Sequence, residues 1–211
     1  RWGAPAVYAQ RIDGDGATLW AADGIPVCTA GTPHSYPTLI SDKAGGAIIV
    51  WGDDRAGSED TNIYAQRINP LGILVWPLAG SPVCSAAGEQ VSHSIGSDGA
   101  GGVLVAWTDY RGGEVDVYAQ RLAVDGDPRW TVDGEAVYVG EGSQALSGLA
   151  SDGEGGAVVY YRNYVSSGTE TDIYCQRIGW EGSVRWATGG VPVCTARDNQ
   201  YPAGMINDGC G

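Results

Sequence analysis

A chain of 211 residues is one ordinary domain or two small ones, long enough to bury about 70% of the surface its unfolded form exposes. Glycine (34) and proline (10) make up about a fifth of it and hydrophobic residues 43%, which suits a turn-rich globular protein and not a helical bundle or a low-complexity tail. Twelve basic against 25 acidic side chains, with Lys43 the single lysine, give a net charge of −13; this argues against nucleic-acid binding and against docking on anionic lipid. No apolar run approaches the roughly eighteen residues of a membrane helix, so membrane insertion is not expected. Arg1 opens the sequence without an initiator Met or a signal-like segment, and the chain reads as processed or excerpted.

Internal repetition organises the whole chain. Y-A-Q-R begins at Tyr8, Tyr64 and Tyr118, and Y-C-Q-R at Tyr174, a period close to 55 residues. Within each motif the tyrosine is followed by Gln10 and Arg11, Gln66 and Arg67, Gln120 and Arg121, or Gln176 and Arg177. Eight residues after each tyrosine stands a glycine (Gly16, Gly72, Gly126, Gly182), and twelve after it a tryptophan (Trp20, Trp76, Trp130, Trp186). Then come Gly24, Gly80, Gly134 and Gly190, and V-C at Val27, Val83 and Val193, with Val137–Tyr138 in the third copy. A polar residue follows (His34, Gln90, Gln144, Gln200), then Ser41–Asp42, Ser97–Asp98, Ser151–Asp152 and Asn207–Asp208, then paired glycines from Gly45, Gly101 and Gly155. The stretch after them holds Trp51-Gly-Asp53-Asp-Arg55, Trp107-Thr-Asp109-Tyr-Arg111 and the degenerate Tyr161-Arg-Asn163-Tyr-Val165.

Each repeat divides into four short runs bounded by turn residues, the pattern of strands and not helices. Strand a follows the Gln or His, and strand b is the apolar run after the glycines. Strand c carries Y-A-Q-R, and strand d is expected to carry the Trp. The glycine between c and d suits a left-handed hairpin position. Four-stranded units at this period are the signature of propeller blades. The expectation is an all-β propeller, a single domain over 1–211, with complete blades at 34–84, 90–138 and 144–194. The fourth blade is split, from 200–211 and 1–28, with its strand b missing from the sequence; the alternative is a stretch of a longer tandem array.

The W-x-D-x-R, Y-A-Q-R, G-x-x-x-W and P-V-C pattern resembles a propeller repeat of large secreted or surface proteins of prokaryotes, often in tandem strings. The resemblance covers the whole chain. It implies an extracellular protein whose propellers are displayed in series and, in some such proteins, build a surface fibre; it carries no shared catalytic set.

Four copies act as an internal control, since a residue present in all of them serves the blade and only departures can encode a unique site. The D-G-D-G run at 13–16 has the look of a calcium loop, but its counterparts keep one carboxylate or none, so a structural turn is the preferred reading. The spacing from Gly16 to Trp20 also misses the Asp-box of sialidase-type propellers in every copy. Asp53 and Asp109 are expected to pair with the strand-c arginines Arg67 and Arg121. Glu59, Asp60, Glu114, Asp116, Glu170 and Asp172 crowd the b–c loops, where Ca²⁺ is a candidate ligand; otherwise no cofactor is expected. His34 and His93 occupy non-equivalent positions with no zinc-like spacing.

Cys28, Cys84 and Cys194 share one repeat position, too far apart to join each other. Cys175 and Cys210 are unique to their copies and are the candidates for a bridge, to each other or to a repeated cysteine such as Cys194, or for an intermolecular thiol. The expected function is structural: self-association of propeller units in tandem into an extracellular fibre or surface layer, with no catalysis. The alternative is a module binding carbohydrate or a cell-surface partner through loop residues such as Trp180 and Tyr164, with a sialidase- or lyase-like enzyme third.

Overall fold

A computed structural model of the chain describes residues 6–28, 31–140, 142–164 and 170–208. Among them there is no helix, and fourteen strands form four antiparallel sheets. A two-stranded sheet pairs β1 (Val7–Ala9) with β2 (Ile25–Cys28). The first four-stranded sheet is β3 (His34–Ser41), β4 (Ala47–Asp53), β5 (Asn62–Ile68) and β6 (Ser81–Cys84), adjacent in that order. The second repeats it with β7 (Gln90–Ser97), β8 (Val103–Asp109), β9 (Asp116–Leu122) and β10 (Glu135–Tyr138), and the third with β11 (Gln144–Ser151), β12 (Ala157–Tyr164), β13 (Thr171–Ile178) and β14 (Val191–Cys194). The all-β architecture agrees with the sequence, and the three four-stranded sheets span 34–84, 90–138 and 144–194. No closed ring is formed among the described residues.

The apolar run of strand b is continuous because that strand is covered on both faces. Ile48 and Val50 of β4 join Val103, Val105 and Trp107 of β8 in one core, with Trp76 and Val83. Leu104 and Ala106, on the other face of β8, join Val159 and Tyr161 of β12, with Trp130 and Val137. Val7 and Val27 of the two-stranded sheet cover Ile49 and Trp51. The sheets therefore lie face against face, each core built from two consecutive repeats.

Local chemistry fixes the turns. Between strands a and b the carboxylate of Asp42 accepts from the amides of Ala44 (2.8 Å) and Gly46 (2.7 Å), and Asp98 and Asp152 repeat the arrangement. A side chain on Gly46 would run into the carbonyl of Ile68, which is why the second glycine of the pair recurs.

Two expectations about strands are corrected. The Trp does not lie in strand d: after an isolated bridge such as Ile68–Leu74 the chain leaves the sheet, and strand d begins only at Ser81. The physical cause is a side chain, described below. Nor do residues 200–208 form a strand, although Gln200 N donates to Thr171 O (3.1 Å) as Gln90 N does to Thr61 O (2.8 Å). Strand a exists elsewhere by pairing with strand b, and no such partner lies beside this segment among the described residues. Of the two parts assigned to a split blade, the described N-terminal strands pair with each other and pack on the first sheet, and 200–208 lie beside the third.

Candidate functional site: a repeated joint between sheets

The glutamine of Y-A-Q-R sets the joint. Gln66 and Gln120 are fully buried. The Gln66 carbonyl oxygen accepts from the backbone N–H of Trp76 (2.9 Å) and Arg67 (2.9 Å), and its amide donates to the carbonyl of Pro77 (2.7 Å). Gln10, Gln120 and Gln176 do the same for Trp20, Trp130 and Trp186. A side-chain amide here replaces a backbone ladder partner, so the Trp segment stands off the sheet and its indole reaches the next one.

There the indole meets the following hairpin. Trp20 Nε1 donates to Pro70 O (3.2 Å), Trp76 Nε1 to Val124 O (3.0 Å) and Trp130 Nε1 to Trp180 O (2.9 Å). Each acceptor lies two residues before the hairpin glycine and also receives Nη1 of the strand-c arginine: Arg11 (3.1 Å), Arg67 (3.2 Å) and Arg121 (3.3 Å). A Cβ on the glycine would come within 3.1 Å of the Trp20 ring at Gly72, 2.7 Å of Trp76 at Gly126 and 2.8 Å of Trp130 at Gly182. The indole lies flat against a position that only glycine can offer.

Arg67 and Arg121 do not pair with Asp53 and Asp109 as the sequence reading expected. They bind Asp42 (2.9 Å) and Asp98 (3.1 Å), and Arg177 binds Asp152 (3.0 Å), because the β-register sets the a–b turn carboxylate beside strand c. Asp53 and Asp109 pair instead with the arginine two residues on in their own motif, Arg55 and Arg111 (both 2.6 Å). In the first copy Trp51 Nε1 also donates to Asp53 (3.0 Å), and the Arg55 guanidinium lies 3.7 Å over the Tyr64 ring. Burial pushes the Asp53 carboxyl up, but hydrogen bonds from Arg55 and Trp51 outweigh it and hold it below the ordinary range. For Asp42 the amides of Ala44 and Gly46 and the Arg67 guanidinium likewise overcome burial. In the third sheet Tyr161 donates to Gly189 O (2.8 Å) and Asn163 receives Gln144 (3.0 Å); Val165 lies outside the described residues.

Cys28, Cys84, Cys175 and Cys194 are free thiols. Cys210 lies outside the described residues, so the expected bridge has no partner within reach among those described. Burial pushes the Cys84 thiol up to about 12 and raises Cys175 as well, and Cys175 stands in the core where other copies have alanine. Among the described residues one group has ligand atoms close enough for a metal, Cys28, His34 and Asp53, within 4.8 Å of one another. His34 Nε2 lies 3.1 Å from Cys28 Sγ and 3.3 Å from Asp53. The Arg55 guanidinium already supplies the cation at Asp53, and the next copy builds the same corner from Cys84, Asp109 and Arg111 with Gln90 in place of His34. The corner is a repeat feature. Asp13 accepts from the amides of Asp15 (3.0 Å) and Ala17 (2.8 Å), as Asn69 does in its own hairpin, which is a turn role. Of the b–c loop carboxylates, Asp60 accepts from Gly88 N (3.0 Å), and burial raises Asp116.

Two hollows remain. A polar cavity of about 250 Å³ lies between the first and second sheets, lined by Tyr36, Asp54, Thr61, Glu89, Ser92 and His93 among others. Ser92 on its wall aligns in sequence with Leu146, which is 8% exposed at the next junction, but lies in a bulge between Val91 and Ser94, whereas Leu146 pairs with Tyr161; Tyr36 and Ser92 both sit at positive φ (48° and 53°). The other hollow, about 350 Å³, is on the outer face of the third sheet, lined by Trp186, Arg177, Asp152, Val158, Met205 and Ile206 among others. Trp180 (60%) and Tyr164 (38%), singled out from the sequence, are exposed. The sequence reading missed the roles of the glutamines and of Asp42, although their presence in every copy was the available signal. Compared with known protein families the chain matches no family model, and a search of curated proteins returns no match.

Proposed function

We propose that the three four-stranded sheets are blades of a β-propeller, and that the chain serves as a structural unit associating in tandem within an extracellular fibre or surface layer. The observation that carries this reading is the joint itself: the same Trp, Arg and hairpin contact recurs three times, and half of it is presented at each end of the stack. The glutamine anchor, the a–b turn carboxylate and its arginine, and in two copies the Asp–Arg corner also recur at the repeat spacing, which is what a scaffold requires and a single catalytic centre does not. The two-stranded sheet at one end and the exposed Trp186 and Val193 of the third sheet at the other are surfaces on which further blades can continue. The surplus of carboxylates suits an exposed, solvated fibre. Negative-stain electron microscopy of native, undigested material tests the proposal. Regular filaments or sheets with a repeat near one propeller thickness are expected, and discrete particles alone would overturn it.

The polar cavity between the first two sheets favours a second reading, a module that holds a carbohydrate. Hydroxyls, carboxylates and the 79% exposed Tyr36 ring at its mouth are sugar-binding chemistry. Glycan-array binding lost on Tyr36→Asn, which removes the ring at the mouth with a residue that tolerates positive φ, would support it.

A further inference from the structure

The joint leaves one donor set and one acceptor set unused. On the outer face of the third sheet Trp186 is 37% exposed, against 4% for Trp76 and 7% for Trp130. Val193 is 58% exposed, where Val27, Val83 and Val137 are 1%, 2% and 3%. Val158 and Tyr160 of β12 are half-buried, while their counterparts Ile48, Val50, Leu104 and Ala106 are buried. This face is built like the other two, but the 200–208 segment is the only chain beside it among the described residues: Asn207 donates to Ser151 O (2.8 Å), Met205 and Ile206 border the hollow in front of Trp186 and Arg177, and no hairpin lies on the indole. At the opposite end, every residue of the hairpin between Ile12 and Thr18 is exposed. Its glycine, Gly16, has the same left-handed φ (85°) as Gly72, Gly126 and Gly182, yet a Cβ there would meet nothing within 4 Å. By the repeat register the acceptor of this hairpin is the carbonyl of Gly14, the counterpart of Pro70, Val124 and Trp180.

We infer that the Trp186 face binds the 12–18 hairpin of a second copy of this chain, with Trp186 and Arg177 donating to the Gly14 carbonyl and the indole lying on Gly16. This rests on the tandem reading above and names the surfaces that make the contact. The occupant follows from the three internal joints, each of which seats this hairpin type on this face with the same two donors. The shapes match, since Gly16 offers the flat surface that an indole needs, and Gly14 places no side chain beside the acceptor. The two surfaces are different, so each copy binds one neighbour with its hairpin and another with its Trp face; such a heterologous contact propagates and does not stop at a pair.

Complementation of two half-defective variants tests this. Trp186→Ala removes the indole and keeps the hairpin; Gly16→Asn puts a Cβ under the incoming indole and keeps the Trp face, with a residue that tolerates positive φ. Val193→Glu serves as a second face variant, and far-UV circular dichroism confirms that each is folded. In sedimentation velocity between about 1 and 100 µM the unaltered chain is expected to give an open series of oligomers. Each variant alone should associate about thirtyfold or more weakly, the effect of a hot-spot truncation. An equimolar mixture of Trp186→Ala and Gly16→Asn should form a dimer and nothing larger, because one good hairpin meets one good face. An unaltered chain that stays monomeric throughout, variants that polymerise normally, or a mixture that remains monomeric would overturn the inference. A monomer in which Trp186 is shielded from acrylamide quenching would identify the chain's own hairpin as the occupant. Filaments in native material together with a failed complementation would leave the structural reading standing and place the contact elsewhere.

Discussion

At the scale of single residues, the buried glutamines are the least expected determinants of this structure. Gln120 is 0% exposed and makes three hydrogen bonds that hold Trp130 off the sheet. Gln120→Ala should cost about 3 kcal/mol in urea denaturation, because two backbone N–H groups and a carbonyl lose their partner in the interior. Gln10→Ala, at a half-exposed copy of the same site, should cost clearly less. The hairpin glycines should show a similar asymmetry. Gly126→Ala would force its Cβ to 2.7 Å from the Trp76 ring and should lower the midpoint much more than Gly16→Ala, where only the left-handed backbone is penalised. Asp42 and Asp53 carry carboxyl pKa values lowered from the ordinary 3.8. Their folded pKa lies below the unfolded one, so their contribution is complete above about pH 4 and is lost as pH falls through the folded values. A urea midpoint that declines steeply below pH 4, with a shallower decline in Asp53→Asn, is the expected result. A profile unchanged by that substitution would mean that the pair contributes nothing across this window.

At the scale of elements, legibility in the sequence followed the strength of the local signal. Strands β4, β8 and β12 were readable because an apolar run after paired glycines admits little else, and strand c was readable because its motif recurs. The departure of the Trp segment from strand d was not readable, since it depends on a side-chain amide ten residues away taking the place of a backbone partner. The Asp–Arg pairs were assigned to the wrong partners for a related reason. Charge and spacing made Asp53–Arg67 plausible, but the register of β4 against β5 brings Ile48, not Asp53, opposite Arg67, and the turn carboxylate of Asp42 arrives there instead. The cavity depends on where the bulge of strand a falls, between Val91 and Ser94 in β7 but between Leu146 and Gly148 in β11, and residue types alone do not show that. Leu146→Ser should open a second hollow at the neighbouring junction and cost about 3 kcal/mol, measured as a fall in chemical denaturation midpoint.

At the scale of the whole molecule, a stack in which each sheet touches only its neighbours gains stability as a sum of sheet and interface contributions. The second sheet is covered on both faces, and the two-stranded sheet and β14 lie at the ends. Amide hydrogen exchange should therefore be slowest in β8 and β9 and fastest in β1, β2 and β14; uniform protection would show that the stack opens as one body. The ionic strength of the medium should matter too. Among the described residues seven arginines are engaged in ion pairs with acidic neighbours, and the chain as a whole keeps a net charge of −13, so salt should favour association of copies by screening their repulsion.

The tryptophans also give the molecule a set of built-in reporters. Indole N–H groups of Trp51 and Trp107 point at carboxylates, and those of Trp20, Trp76 and Trp130 at carbonyls of the next repeat. In a nitrogen-15 spectrum these protons resonate away from the backbone amides, so each internal contact has its own assignable line, and the Trp186 line would shift on the day its carbonyl arrives.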